Sequence, residues 1–84
     1  ELPAIPPEVA DEVRGHFSDL SAWLASVLTR GAAQKAFFLQ ATAEEEARTF
    51  MATVHGAMLS ARAFGDPEAF PGIVQPLMRR LTSP

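Results

Sequence analysis

Few side chains of this 84-residue chain have the type and spacing that catalysis or metal binding requires. Ser18, Asp19 and His16 supply a nominal nucleophile, acid and base, but positions two and three residues apart on one helix cannot form a catalytic relay. His16 and His55 have no further ligand at metal-binding spacing, and no glycine-rich phosphate loop is present. We therefore expect no enzyme activity, no metal site and no cofactor.

The densest acidic cluster, Glu44, Glu45 and Glu46, occupies a position that predicts a structural role. Thr42 followed three residues later by Glu45 matches a capping box, in which each side chain bonds the backbone N–H of the other residue. Acidic side chains in a first turn also complement the positive end of the helix dipole. The cluster therefore indicates the start of a helix and not a set of catalytic carboxylates.

Size and composition indicate one small domain with a thin core. A domain of this length buries only about 60 to 65% of the surface of its unfolded chain. Hydrophobic residues make up 48% of the sequence, and there is no cysteine to form a disulfide. Oligomerisation is a simple way to bury the apolar excess. The net charge is −3 without a basic run, which argues against direct nucleic-acid binding by this segment.

The start of the chain and its hydropathy indicate a soluble segment of a longer polypeptide. The first residue is Glu1 rather than Met, and no basic and apolar signal sequence opens the chain. The longest apolar stretches fall far short of the roughly 20 residues that span a bilayer. We expect a cytoplasmic protein without a membrane partner.

A proline-rich lead-in precedes the first helix and is interpreted as a linker over residues 1–7, leaving 8–84 as the helical domain. The first helix is predicted from about Pro7 to Arg30, with Gly31 in the left-handed position that ends it. Its apolar stripe, expected to be buried, comprises Val9, Val13, His16, Phe17, Leu20, Trp23, Leu24, Val27 and Leu28.

The third helix is predicted to begin at Pro67, with Asp66 as its N-cap residue. Pro71 and Pro76 each remove a backbone donor, so we expect this helix to start irregularly or to bend. Its buried stripe is predicted to comprise Phe70, Ile73, Val74, Leu77, Met78 and Leu81. No strand pattern is present, so the predicted fold class is all-α with three helices.

The second helix, from Thr42 to Gly65, carries two non-polar faces where a monomer needs one. The core face comprises Ala43, Ala47, Phe50, Met51, Val54, Ala57, Met58 and Ala61. The opposite face, called here the small-residue face, comprises Ala52, Gly56, Leu59, Ser60 and Ala63. Small side chains let another helix approach closely, so this face predicts packing against a partner subunit.

A ligand cavity between the first two helices is the other candidate site. Adaptable apolar side chains, with His16 as a polar group among them, would line it: His16, Leu20, Trp23, Phe37, Phe38, Met51 and Met58. Core packing explains the same spacing of aromatic and methionine residues and is the interpretation that we favour. A buried neutral histidine bonded to the backbone is likewise the simpler account of His16.

The order and spacing of these features resemble the C-terminal regulatory domain of TetR-family transcriptional repressors. The residues that carry the resemblance run from Phe17 to Leu81: Trp23-Leu24, Val27-Leu28, Arg30-Gly31, Phe38, Glu45-Glu46-Ala47, Phe50, Gly56-Ala57-Met58-Leu59, Ala61-Arg62, Asp66-Pro67, Phe70, Leu77 and Leu81. The chain departs from similar sequences at Lys35, where the connector often has a second glycine, and at Pro71 and Pro76 in the third helix.

The resemblance implies a C-terminal dimerisation and effector-binding region whose DNA-binding helix-turn-helix domain lies outside this chain. It implies a homodimer in which the last two helices of each subunit form a four-helix bundle. The implied interface comprises Ala52, Gly56, Leu59, Ser60, Ala63, Phe70, Ile73, Val74, Leu77 and Leu81. The implied effector is a small apolar molecule in the cavity described above. The alternative is a free-standing helical adaptor that binds a partner helix.

Overall fold

The computed structural model describes residues 5–84, and it contains three α-helices. They are α1 (Pro7–Ala33), α2 (Ala43–Phe64) and α3 (Ala69–Thr82). The all-α prediction with three helices is confirmed. Residues 1–4 of the predicted linker lie outside the described residues, and Pro6 is the N-cap residue of α1.

α1 continues three residues beyond its predicted end because Gly31 serves close packing and not helix termination. Gly31 is buried and helical, and a Cβ atom built on it would overlap the ring of Phe37, 2.7 Å from Cε2. The left-handed conformation is adopted instead by Lys35, at φ 61°. The N–H groups of Ala36 and Phe37 donate to the Gly31 carbonyl at 2.8 and 3.2 Å. The prediction that Gly31 ends α1 was therefore wrong.

The start and the end of α2 follow the local sequence as predicted. Thr42 Oγ1 accepts the Glu45 backbone N–H at 3.1 Å, and the Glu45 carboxylate accepts the Thr42 backbone N–H at 3.4 Å. The two bonds form a complete capping box. At the other end, Gly65 takes the left-handed conformation at φ 61°, which glycine adopts without a steric penalty.

α3 begins two residues later than predicted. The helix starts at Ala69 and not at Pro67, so Asp66 is not its N-cap residue. Pro67 and Glu68 instead form a turn, in which the Asp66 carboxylate accepts the Glu68 N–H at 3.1 Å. The Asp66 carbonyl accepts the Ala69 N–H, also at 3.1 Å. Asp66 therefore forms its hydrogen bonds within this turn and does not cap the helix. The result is the irregular start of α3 that its prolines predict.

α2 is the central element of a flattened molecule that measures 43 × 31 × 16 Å. α1 and α3 each pack against α2, and within residues 5–84 these two helices do not contact each other. The end of α3 is tied to the connector between α1 and α2, where the Phe38 N–H donates to the Leu81 carbonyl at 2.8 Å. The arrangement of all three helices therefore depends on α2 and on this connector.

The hydrophobic core is small, and its buried residues on α1 begin at Ala25, with the half-buried Leu24 packed against them. Its buried members are Ala25, Leu28, Ala47, Ala57, Leu77 and Leu81. The predicted stripe of α1 is buried only toward its C-terminal end, because Val9, Val13, Phe17 and Trp23 are exposed. The described residues therefore cover only the C-terminal part of this apolar stripe. The predicted core face of α2 is buried or half-buried, apart from Met58.

Glu46 is the buried charged residue of this core, with 5% of its surface exposed. Its Oε2 atom accepts the Gln40 backbone N–H at 2.8 Å, and its Oε1 atom accepts a bond from the Arg80 guanidinium at 3.3 Å. The Gln40 bond, helped by Arg80, holds the pKa of Glu46 below its ordinary value, although burial acts in the opposite direction. The carboxylate therefore connects α2 to the connector and to α3.

Gly31→Ala should destabilise the protein, although alanine favours a helix over glycine by about 1 kcal/mol. The added methyl group overlaps the Phe37 ring, and overpacking of this kind costs roughly 1 to 3 kcal/mol. Urea unfolding at one fixed chain concentration should show a lower midpoint. Gly15→Ala is the matched control, because it is also helical and has nothing within 4 Å of the added atom. Equal gains in stability for both variants would contradict the packing role of Gly31.

Glu46→Gln should lower the free energy of unfolding at neutral pH by roughly 1 to 2 kcal/mol, since Arg80 is partly exposed and screened. Because folding depresses the pKa of Glu46, its contribution is present above the ordinary glutamate pKa and is lost as the pH falls through the folded-state value. The stability difference between wild type and variant should therefore shrink in acid. Glu68→Gln, at an exposed carboxylate, should change little at any pH.

Candidate functional site

The small-residue face of α2 is the largest departure from an ordinary solvated helix. Ala52, Gly56 and Ala63 are exposed, Leu59 has 65% of its surface exposed, and Ser60 is half-buried. A Cβ atom built on Gly56 would meet nothing within 4 Å. Apart from Leu59, the face therefore carries no bulky side chain, and it carries no charged side chain, that would keep another helix at a distance.

The predicted interface residues of α3 divide into two groups. Phe70 and Val74 are half-buried and Ile73 is exposed, so each of them has surface left for a partner. Leu77 and Leu81 are only 8% and 1% exposed, because they pack inside the chain itself. These two leucines belong to the core of the single chain and offer almost no surface to a partner.

Phe64 is an exposed aromatic residue that the sequence reasoning did not assign to the site. It has 81% of its surface exposed at the end of α2. Residues four apart are neighbours on a helix, so Phe64 follows Ser60 along the border of the small-residue face. Continuing the spacing of four from Ala52 through Gly56 and Ser60 would have found it.

The predicted cavity residues do not converge on one pocket. Trp23 is 62% exposed, and the ring of Phe37 packs on Gly31. Met58 lines a shallow depression near Pro67 and Phe70, on another part of the molecule. The remaining members, Leu20, Phe38 and Met51, are half-buried.

His16 is exposed and not buried in the stripe of α1. It lies beside the acidic side chains of Asp11, Glu12 and Asp19 in a small depression on the α1 surface. The prediction of a core histidine was therefore wrong, because the described residues provide no second helix over this part of α1. Its position separates it from the other predicted cavity residues.

His55 joins α1 to α2 beside the small-residue face. Its ring stands edgewise against Phe17 of α1, with ring centroids 5.0 Å apart. Nδ1 lies 2.7 Å from the Met51 carbonyl oxygen. Since a carbonyl can only accept, Nδ1 carries the proton of this bond. His55 is exposed.

A groove of about 670 Å³ lies between α1 and the N-terminal part of α2. Its apolar lining comes from Val13, Phe17, Ala22 and Ala25. Hydroxyl groups are contributed by Ser18, Ser21, Ser26 and Thr29. Its charged groups are Arg14, Arg48 and Glu44. None of the predicted cavity residues lines this groove.

Within residues 5–84, no group of three or more histidine, cysteine or acidic side chains is placed to hold a metal ion. No helix in that part of the chain has the length and apolar character needed to cross a bilayer.

Comparisons with known proteins give one informative similarity. No protein-family model and no curated protein matches the chain. Among solved structures, the chain is similar to a TetR-family transcriptional regulator from Agrobacterium tumefaciens, with 53% sequence identity and a TM-score of 0.90. The similarity covers 96% of this chain and 43% of that one, so the chain spans less than half the length of this relative. With the same fold over nearly all of its length and more than half of its residues identical, the chain belongs to the TetR family of transcriptional regulators.

Proposed function

We propose that this chain is the dimerisation and small-molecule-responsive region at the C-terminal end of a TetR-family regulator. DNA binding would then reside in another part of the regulator. The observation that carries the proposal is the exposed small-residue face of α2, because an apolar helix face left in water is best explained by a partner that covers it. Its similarity to a longer regulator supports the same assignment.

The proposed partner is a second copy of the chain. In a twofold dimer the same patch meets itself, so a face made of small residues is complementary to its own copy without any charge pairing. Gly56 lies near the middle of the face, where the two α2 helices would approach most closely. Phe70 and Ile73 of α3 would flank this contact and complete a bundle of four helices.

The charged residues of α2 fit this arrangement. Glu44, Arg48, His55 and Arg62 are exposed, and none belongs to the small-residue face. They would remain at the rim of the interface, where charges keep their water, while the apolar centre is covered. A helical adaptor that receives a foreign helix would use the same face, and it predicts a monomer in the absence of that partner.

Gly56→Leu should dissociate the dimer, because a leucine side chain would occupy the space that the partner helix needs. Sedimentation equilibrium should give the mass of a dimer for the wild type and of a monomer for the variant. Gly15→Leu makes the same change on α1, where an added Cβ is equally unobstructed, and should leave the dimer intact.

Circular dichroism should report similar helix content for both variants, so that loss of the dimer is not confused with unfolding. A dimer mass that survives Gly56→Leu would reject this interface. A wild type that sediments as a monomer at high concentration would reject self-association altogether and favour the adaptor.

A further inference from the structure

The groove between α1 and α2 shares no residue with the small-residue face, and only Glu44 and Arg48 of its lining belong to the rim of the proposed interface. Its lining is chemically mixed. Val13 and Phe17 supply apolar surface, Ser18 and Ser21 supply hydroxyl groups along α1, and Arg48 supplies a guanidinium from α2. Its volume of about 670 Å³ lies within the range of small-molecule pockets, roughly 300 to 1,000 Å³. The dimer leaves this site unexplained.

Several polar groups in the groove are available to a ligand. Within residues 5–84, no hydrogen bond or ion pair engages the side chains of Arg48, Ser18 or Ser21. Arg14 differs, because its guanidinium is paired with Asp11 on the same helix. Arg48 is thus a cation of the groove that forms no ion pair among the described residues, although the Glu44 carboxylate lines the same groove.

We propose that this groove binds an organic carboxylic acid with an apolar body. A guanidinium holds a planar carboxylate through two parallel hydrogen bonds, so Arg48 would take the acid group. Ser18 and Ser21 add hydroxyl donors, and Val13 and Phe17 contact the apolar body. The inference rests on the proposed function, in which this acid is the small molecule to which the regulator responds.

The charges of the groove set the class of ligand. Glu44 lies on the same wall as Arg48, so its carboxylate would repel a dianion such as phosphate more strongly than a monoanion. An apolar helix over the groove would take the charged groups of Arg48 and Glu44 out of water without adding a hydrogen-bond partner, which is unfavourable. A single carboxylate with an apolar body satisfies the guanidinium and covers the apolar lining at the same time.

A pair of matched probes tests the charge requirement. Naphthoate and its neutral analogue naphthamide have the same ring system, and calorimetric titration into the full chain gives a Kd for each. Naphthoate should bind about tenfold more tightly than naphthamide, as one charge-assisted hydrogen-bonded pair implies. Arg48→Met should remove this preference while leaving naphthamide affinity unchanged. Arg79→Met, at an exposed arginine on α3, is the control and should leave both affinities unchanged.

A second variant tests the location. Ala22 is exposed and lines the groove, so Ala22→Trp should fill the space and weaken both probes without unfolding the chain. Equal binding of acid and amide, equal loss in Arg48→Met and Arg79→Met, unchanged binding in Ala22→Trp, or no binding to the wild type would each overturn the proposal. Sedimentation of the same samples keeps the outcomes separate, because a dimer that binds neither probe would refute the groove alone.

Discussion

The structure depends on one constraint: among the helices of residues 5–84, α2 alone contacts both of the others. One side of it packs on α1, another packs on α3, and the core face supplies Ala47 and Ala57, which are completely buried. Little circumference then remains for a solvated side. In most surface helices the remaining arc carries lysine and glutamate, but here it carries alanine, glycine and leucine. The small-residue face is therefore a consequence of the central position of α2 together with the apolar excess of the sequence.

The connector between α1 and α2 keeps α3 in place through polar contacts that helical periodicity does not reveal. Glu46 accepts bonds from Gln40 and Arg80, and the Phe38 N–H bonds the Leu81 carbonyl. α3 therefore presents a defined surface beside α2, although α1 makes no contact with it in the part of the chain that the structure describes. The proposed interface requires α3 to be held against α2, whereas the groove is formed by α1 and α2 alone.

Features encoded by neighbouring residues were predicted well from the sequence. The capping box of Thr42 and Glu45 and the left-handed Gly65 depend on side chains and backbone within one turn, so local chemistry was sufficient. The end of α1 depends on Phe37 folding back over Gly31, and the start of α3 depends on a turn at Pro67. These two boundaries differ from the predicted ones because a tertiary contact decides the first and a turn decides the second, and neither is visible in the local start and stop signals of a helix.

The observed groove differs from the predicted cavity for a different reason. The spacing of the aromatic residues predicts a cavity at Trp23 and Phe37. Large side chains fill space, however, and an opening between helices forms where the side chains are small. The observed groove is lined mainly by serine and alanine on α1, with Phe17 at one end. Helical periodicity likewise identifies the apolar side of α1, but it does not show whether another helix covers that side. For this reason the sequence predicts a core position for His16, which lies on the surface.

Lys35 gives the connector an energetic property of its own. A left-handed conformation is unfavourable for a residue with a side chain, by roughly 1 kcal/mol or more, and Lys35 adopts it at φ 61°. The nearby glycine, Gly31, is already required beneath an aromatic ring. The fold consequently stores strain in a short exposed segment that belongs neither to the groove nor to the dimer face. A substitution that relieves this strain at Lys35 could thus raise the melting temperature without changing ligand recognition or self-association.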